Sequence, residues 1–177
     1  MLTSVVGGLA IAAYEDRGIS PAYEAIYPTD GAAAIHSVRS PSRQDYETYE
    51  FRIGTRCYID FTYTVSRLPV ALSGLPAIRV AQADKAVESA EFLQFDLSRP
   101  ARIYVAYDAD ARHVPDWLSA FTPERMTVEV DQIGTPRWFN VFSKSYPAGT
   151  VVLGGNRSSG SAGNVFMNYL VMIRAST

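Results

Sequence analysis

The sequence predicts an all-β fold, an antiparallel jelly-roll-like β-sandwich preceded by an extended N-terminal arm, and three observations lead there. From Tyr49 onward, apolar residues recur at every second position in short runs. Gly, Pro, Ser and Thr punctuate the gaps between those runs, and no segment in this stretch carries a sustained helical period flanked by caps. A period of two puts alternate side chains on opposite faces of a strand, so short runs of this kind at regular spacing suit two packed sheets. With 177 residues, 47% of them hydrophobic, the chain can bury a core without a metal or disulfide staple.

Residues 1–48 are read as the arm, because Gly7, Gly8, Gly18, Pro21, Pro28, Gly31 and Pro41 interrupt small-residue runs such as Ala32-Ala33-Ala34. Within it Val5, Leu9 and Ile11 fall on one side of an extended chain. Such a strand either completes its own sheet or is donated to a neighbouring subunit. Residues 49–177 are read as the sandwich domain. Its first strand is expected at Cys57–Val65, where Cys57, Ile59, Phe61, Tyr63 and Val65 alternate with Tyr58, Asp60, Thr62 and Thr64. Ala77–Val80 follows. Leu93, Phe95 and Leu97 make one strand, Ser98-Arg99-Pro100 breaks the run, and Ile103, Val105 and Tyr107 make the next. One helical turn is expected at Asp116–Phe121, and further strands at Met126–Val130, Trp138–Ser143, Thr150–Leu153 and Val165–Ile173. The last is apolar almost throughout, as a central strand covered on both faces would be.

Composition removes several function classes. Sixteen basic residues stand against eighteen acidic, so the chain lacks the excess of positive charge a nucleic-acid binder uses on phosphates. Cys57 is the sole cysteine, which excludes an intrachain disulfide and a C-x-x-C site. His36 and His113 belong to no ligand spacing. Met1–Tyr14, the longest uncharged apolar stretch, is shorter than the roughly 20 residues of a membrane span, and no positive charge precedes its apolar core as in a secretory signal.

Three clusters stand together in the second half: Tyr104-Val-Ala-Tyr-Asp108, Pro115-Asp-Trp-Leu118, and Tyr146-Pro-Ala-Gly-Thr-Val-Val-Leu-Gly-Gly-Asn156. In this order, with Asp60-Phe-Thr-Tyr-Thr64 and Asp84-Lys85 ahead of them, they resemble the β-sandwich accessory modules, similar to carbohydrate-binding modules, that are appended to bacterial secreted polysaccharide lyases and glycoside hydrolases. The resemblance runs from about Gly54 to Ile173; the arm has no counterpart in it. It implies a non-catalytic extracellular or cell-surface module that binds or displays carbohydrate.

Read from physics, the same clusters are mostly structural. Ile103, Val105 and Tyr107 face a core and end at Asp108, an acid suited to accept turn hydrogen bonds. Trp117 and Leu118 are expected to plug one end of the sandwich, while Gly149, Gly154 and Gly155 allow a turn and a close approach of chains.

A sugar-binding face needs a flat aromatic ring against the C–H side of a pyranose, and polar side chains for its hydroxyls. Trp138 leads, alternating with Asn140 in one strand beside Arg137; Tyr58, on the polar side of the first expected strand, is a further candidate. In Trp138-Phe139-Asn140-Val141-Phe142 both faces carry apolar groups, so either could be core. Asn156-Arg157-Ser158 is an Asn-x-Ser sequon, a glycosylation candidate at Asn156.

No nucleophile–base arrangement or nucleophile elbow is present, so no catalytic residue is assigned and no enzyme is expected. No cofactor is expected either. Asp108, Asp110 and Asp116 with backbone carbonyls are the only hint of a structural calcium ion, and they lack a recognised calcium-loop spacing. The expected partner is therefore a polysaccharide or an attached glycan. The competing reading is a structural subunit of an extracellular fibre or surface assembly, a homo-oligomer or filament joined by donation of the arm through Val5, Leu9 and Ile11.

Overall fold

The computed structural model describes residues 35–42, 44–161 and 165–176. Among these residues ten strands form two antiparallel sheets: β1 (Ile35–Arg39), β2 (Glu47–Glu50), β3 (Thr64–Arg67), β4 (Pro76–Arg79), β5 (Leu93–Leu97), β6 (Ala101–Asp108), β7 (Thr122–Gln132), β8 (Thr135–Tyr146), β9 (Gly149–Leu153) and β10 (Leu170–Ala175). One short helix, α1 (Asp116–Ser119), lies between β6 and β7. The small sheet has the order β1-β5-β9 and the large one β2-β4-β10-β6-β8-β7-β3. This is the all-β antiparallel sandwich expected from the alternation.

Register explains the two faces of the large sheet. Ile103, Val105 and Tyr107 of β6 pair with Ile173, Val171 and Asn140, so these six share one face. Tyr107 donates its hydroxyl to Asn156 O at 2.7 Å, and Tyr169 donates to Gly154 O at 3.1 Å, both just beyond β9, so this face looks toward the small sheet. There Leu93, Phe95, Leu97, Val151 and Leu153 are buried against it. Each such fully buried side chain contributes roughly 1.5–3 kcal/mol. The opposite face carries Tyr104, Ala106, Met172, Phe139 and Val141, and residues 51–75 cover it. Tyr58 ties that cover down by donating to Asn168 O at 2.6 Å, and Arg174 reaches both Ala71 O and the Tyr104 hydroxyl.

The clearest alternation in the sequence does not make a strand. Cys57–Val65 folds back on itself, with Cys57 N donating to Tyr63 O and Val65 N to Thr55 O, and holds two isolated bridges, Arg56↔Thr64 and Tyr58↔Val80. Consecutive Cys57 and Tyr58 are both buried while Phe61 is exposed, so the period of two is broken in space. The Asp60 carboxylate holds the turn to the next layer by accepting from Gln82 N and Ala83 N. Only Thr64–Arg67 joins a sheet.

The last apolar run is likewise shorter as a strand than expected. Leu170–Ala175 is the central strand between β4 and β6, but Phe166 N and Met167 N donate to the Asp108 carboxylate and Asn168 N to Gln82 Oε1. Side chains there take the place of a strand partner.

Part of the stretch read as an arm belongs to the sheets. β1 pairs with β5, placing Ile35 opposite Leu97, and β2 crosses residue 49 while pairing with β4. An apolar Ile35, 7% exposed, has a buried place to go, so the sandwich includes the described residues from Ile35 onward. Val5, Leu9 and Ile11 lie outside the described residues.

Candidate functional site

The hairpin of β7 and β8 decides which side of the Trp138 strand is core. Phe139 and Val141 are fully buried, whereas Trp138 is 39% exposed and Asn140 is exposed. Along β8 the outward side therefore reads Trp138, Asn140, Phe142, Lys144 and Tyr146, beyond the area the small sheet covers. Cross-strand neighbours complete it: Glu129 stands opposite Trp138 and Thr127 opposite Asn140 on β7, and Arg67 of β3 stands opposite Glu129.

Two cations rest on rings along this face. The Arg67 guanidinium lies over the Trp138 ring at 5.5 Å, and the Lys144 ammonium lies 5.7 Å from the Phe121 ring and 5.3 Å from the Tyr146 ring. The Glu129 carboxylate accepts from the Ser66 hydroxyl at 2.8 Å. The face thus combines a partly exposed indole, an amide with donors and an acceptor, a carboxylate and two positive charges. Such a set can stack on the apolar side of a sugar ring and hydrogen-bond its hydroxyls.

Arg137 points the other way, as the alternation along β8 requires. Its Nε donates to Gln132 Oε1 at 2.6 Å, its guanidinium reaches the Asp110 carboxylate at 3.4 Å, and it lies over the Phe166 ring at 4.7 Å. Gln132 in turn donates to the Tyr63 hydroxyl at 3.3 Å, and Tyr63 touches the ring of Phe61 at 5.0 Å. Arg137 and Trp138, neighbours in sequence, serve different surfaces.

Two candidates are corrected by burial. Tyr58 has no exposed surface, and burial pushes its phenol well above the ordinary value, so it is part of the core and not a platform for a ligand. Asn156 is also fully buried, and the amide nitrogen that would carry a glycan donates to Met167 O at 2.9 Å and Lys85 O at 3.3 Å. The sequon is a structural clasp because its loop is drawn inward by Tyr107 and Gly155. Gly154 and Gly155 permit the close approach: a Cβ on Gly155 would lie 2.3 Å from Val87 O.

The acids considered for calcium do not converge. Asp108 accepts from three backbone N–H groups, those of Asp110, Phe166 and Met167; Asp110 pairs with Arg137; Asp116 accepts from Ser159. Among the described residues no group of three or more His, Cys, Asp or Glu is placed to hold a metal ion. A surface depression of about 410 Å³ at the β1–β2 connection, lined by Val38, Arg39, Ser40, Gln44, Asp45 and Tyr46, shares no residue with the β8 face. No helix among the described residues is long and apolar enough to cross a membrane.

Arg67, Thr127, Glu129 and Lys144 were not candidates from sequence. Nothing in the local pattern at residue 67 points to residue 138; the register of β3 on β7 and β7 on β8 alone brings them together.

No protein-family model matches the chain, and no curated protein matches it. Solved structures that share its fold include two glycoside hydrolases. A β-glucuronidase from glycoside hydrolase family 2 superposes with a TM-score of 0.71 at 22% identity, over 82% of this chain and 15% of that one. A GH138 enzyme targeting pectin rhamnogalacturonan II gives 0.55 at 12% identity, over 80% of this chain and 16% of that one. The chain thus spans about a sixth of the length of each enzyme it matches. What the likeness establishes is the fold: a β-sandwich that recurs as one part of glycoside hydrolases.

Proposed function

We propose that this chain is a non-catalytic, extracellular β-sandwich module that binds carbohydrate on the outward side of β8, with Trp138 as the stacking platform and Asn140 as a hydroxyl-binding group. One observation carries the reading: Trp138 keeps 39% of its surface exposed in a strand whose next residue, Phe139, is fully buried. An indole held outward at that cost in exposed apolar area, beside an exposed amide, suits a ligand with one apolar and one hydroxylated side. That the fold recurs within glycoside hydrolases supports the same reading. The test is a glycan panel probed with the parent chain and Trp138→Ala. Binding to at least one glycan that falls tenfold or more in the variant, with unchanged thermal unfolding, is the expected result; a panel bound equally by both would end the proposal.

A second reading has its own support. β9 pairs on one side only among the described residues, leaving an edge of backbone donors and acceptors to which an extended segment can add. In this reading the chain is a subunit of a surface assembly and residues around Val5, Leu9 and Ile11 of a neighbour supply the strand. Leu9→Asp should then reduce the particle size measured by light scattering; identical sizes for variant and parent would remove it.

A further inference from the structure

We infer that the glycan taken by the β8 face is acidic, a uronate-bearing chain whose carboxylates pair with Arg67 and Lys144; this rests on the carbohydrate reading of that face. Five other arginines of the fold are matched to acids, while Arg56 and Arg174 are engaged by backbone carbonyls. Arg39 pairs with Asp96 at 3.4 Å, Arg102 with Glu124 at 3.9 Å and Arg137 with Asp110 at 3.4 Å, and Arg52 and Arg79 pair with Glu50 and Glu47. Arg67 and Lys144 have no carboxylate within ion-pair reach among the described residues, and each is held over aromatic rings instead.

A ring face fixes a cation in place without neutralising it, so the charge stays available to an incoming anion. The guanidinium also presents a planar fork that matches a carboxylate. Glu129 is the carboxylate in register with Arg67, and its Oε1 already accepts the Ser66 hydroxyl, which leaves two positive charges against one negative along the strand. Trp138 and Lys144 share the outward side of β8, and at about 3.4 Å per residue their separation along the strand is roughly 20 Å. One sugar ring cannot span that distance; an extended chain with repeating carboxylates can. The uncharged stretch between them, Asn140 and Phe142, leaves room for hydroxyl and stacking contacts.

The test uses the full chain with polygalacturonate, alginate, methyl-esterified polygalacturonate and a set of neutral glucans and mannans, measured by calorimetry at low and high salt. The parent should bind a polyuronate, lose affinity as salt rises, and bind the methyl ester roughly tenfold more weakly, since the ester keeps the sugar rings and removes the charge. Arg67→Gln, an exposed substitution expected to leave thermal unfolding unchanged, should weaken polyuronate binding by roughly tenfold, with Lys144→Gln adding to it. Neutral glycans bound in a Trp138-dependent way, with Arg67→Gln and Lys144→Gln unaltered, would overturn the acidic assignment and leave the carbohydrate reading standing. No binding to any glycan would bring down both. Binding of sulfated dextran in preference to every polyuronate would overturn the assignment to carboxylates.

Discussion

The indole of Trp117 occupies the space that any side chain at Gly154 would need: a Cβ there would fall 2.4 Å from Trp117 Cδ1. Trp117 also donates its ring N–H to Gly155 O at 3.1 Å and packs on Tyr169 and Phe121, so the ring is held from several sides and cannot step away. Gly154→Ala should therefore destabilise the fold by about 1–3 kcal/mol or more, the usual cost of overpacking. Urea unfolding checks this, and a midpoint equal to that of the parent would show that the indole yields.

Asn156 clasps two loops through one amide nitrogen, to Met167 O and Lys85 O. Asn156→Ala leaves both carbonyls without this donor and should cost about 1–3 kcal/mol, and Asn156→Asp should cost more because it sets a charge against them. The same burial forbids a glycan in the native fold. Folded protein recovered from a glycosylating host should show the unmodified mass at the peptide containing Asn156; a glycosylated, natively folded fraction would contradict the placement of this loop.

The hairpin between β7 and β8 turns through Ile133 and Gly134, both left-handed, with φ of 51° and 81°. Gly tolerates this, but a β-branched side chain does not, and the residue is 77% exposed, so no burial offsets the strain. Ile133→Asn places the residue a two-residue turn of this hand prefers and should stabilise the protein by about 1 kcal/mol. Thermal unfolding of the variant should shift upward; a lower midpoint would mean that Ile133 makes a contact worth more than the strain.

Burial pushes the Cys57 thiol from 9.0 up to about 12 and the Tyr107 phenol from 10.0 up to about 12, and raises the Tyr58 and Tyr169 phenols well above their ordinary value. The unfolded chain releases these protons at their ordinary values while the folded chain retains them, so the folded state binds more protons across that interval. Stability is then full below about pH 9 and falls as pH rises toward about 12, with Cys57 alone contributing about 1.4 kcal/mol per pH unit within its window. Urea midpoints measured across this range check the sign, and midpoints flat to pH 12 would contradict it. A thiol reagent at about pH 8 should label Cys57 only after denaturation.

Much of the sandwich can be read from the chain, and the misreadings share a cause. β5, β6 and β8 follow the alternation because each has strand partners on both sides, so side chains at even spacing meet opposite layers. Cys57–Val65 has the same pattern, but Cys57 N bonds back to Tyr63 O, Ile59 N goes to Val80 O and Asp60 anchors a turn, a competition that depends on residues twenty and more positions away. Trp138 and Asn140 were legible as candidates by residue type; that Trp138 faces outward was not, since Phe139 and Phe142 make both sides look apolar. Tyr58 and Asn156 looked polar-facing in sequence and are buried because each has a specific carbonyl to bond, Asn168 O for one and Met167 O for the other. Arg67 and Lys144 needed the register itself.

The most direct test of the binding face uses the two tryptophans of the chain as paired reporters. Trp117 gives an indole N–H resonance from a half-buried ring bonded to Gly155 O, and Trp138 gives one from the outward side of β8. In a titration with oligogalacturonates and with neutral cello- and manno-oligosaccharides, the Trp138 resonance should move saturably with at least one of them while that of Trp117 stays in place. A Trp138 resonance that does not move at saturating glycan, or a shift confined to Trp117, would contradict the account.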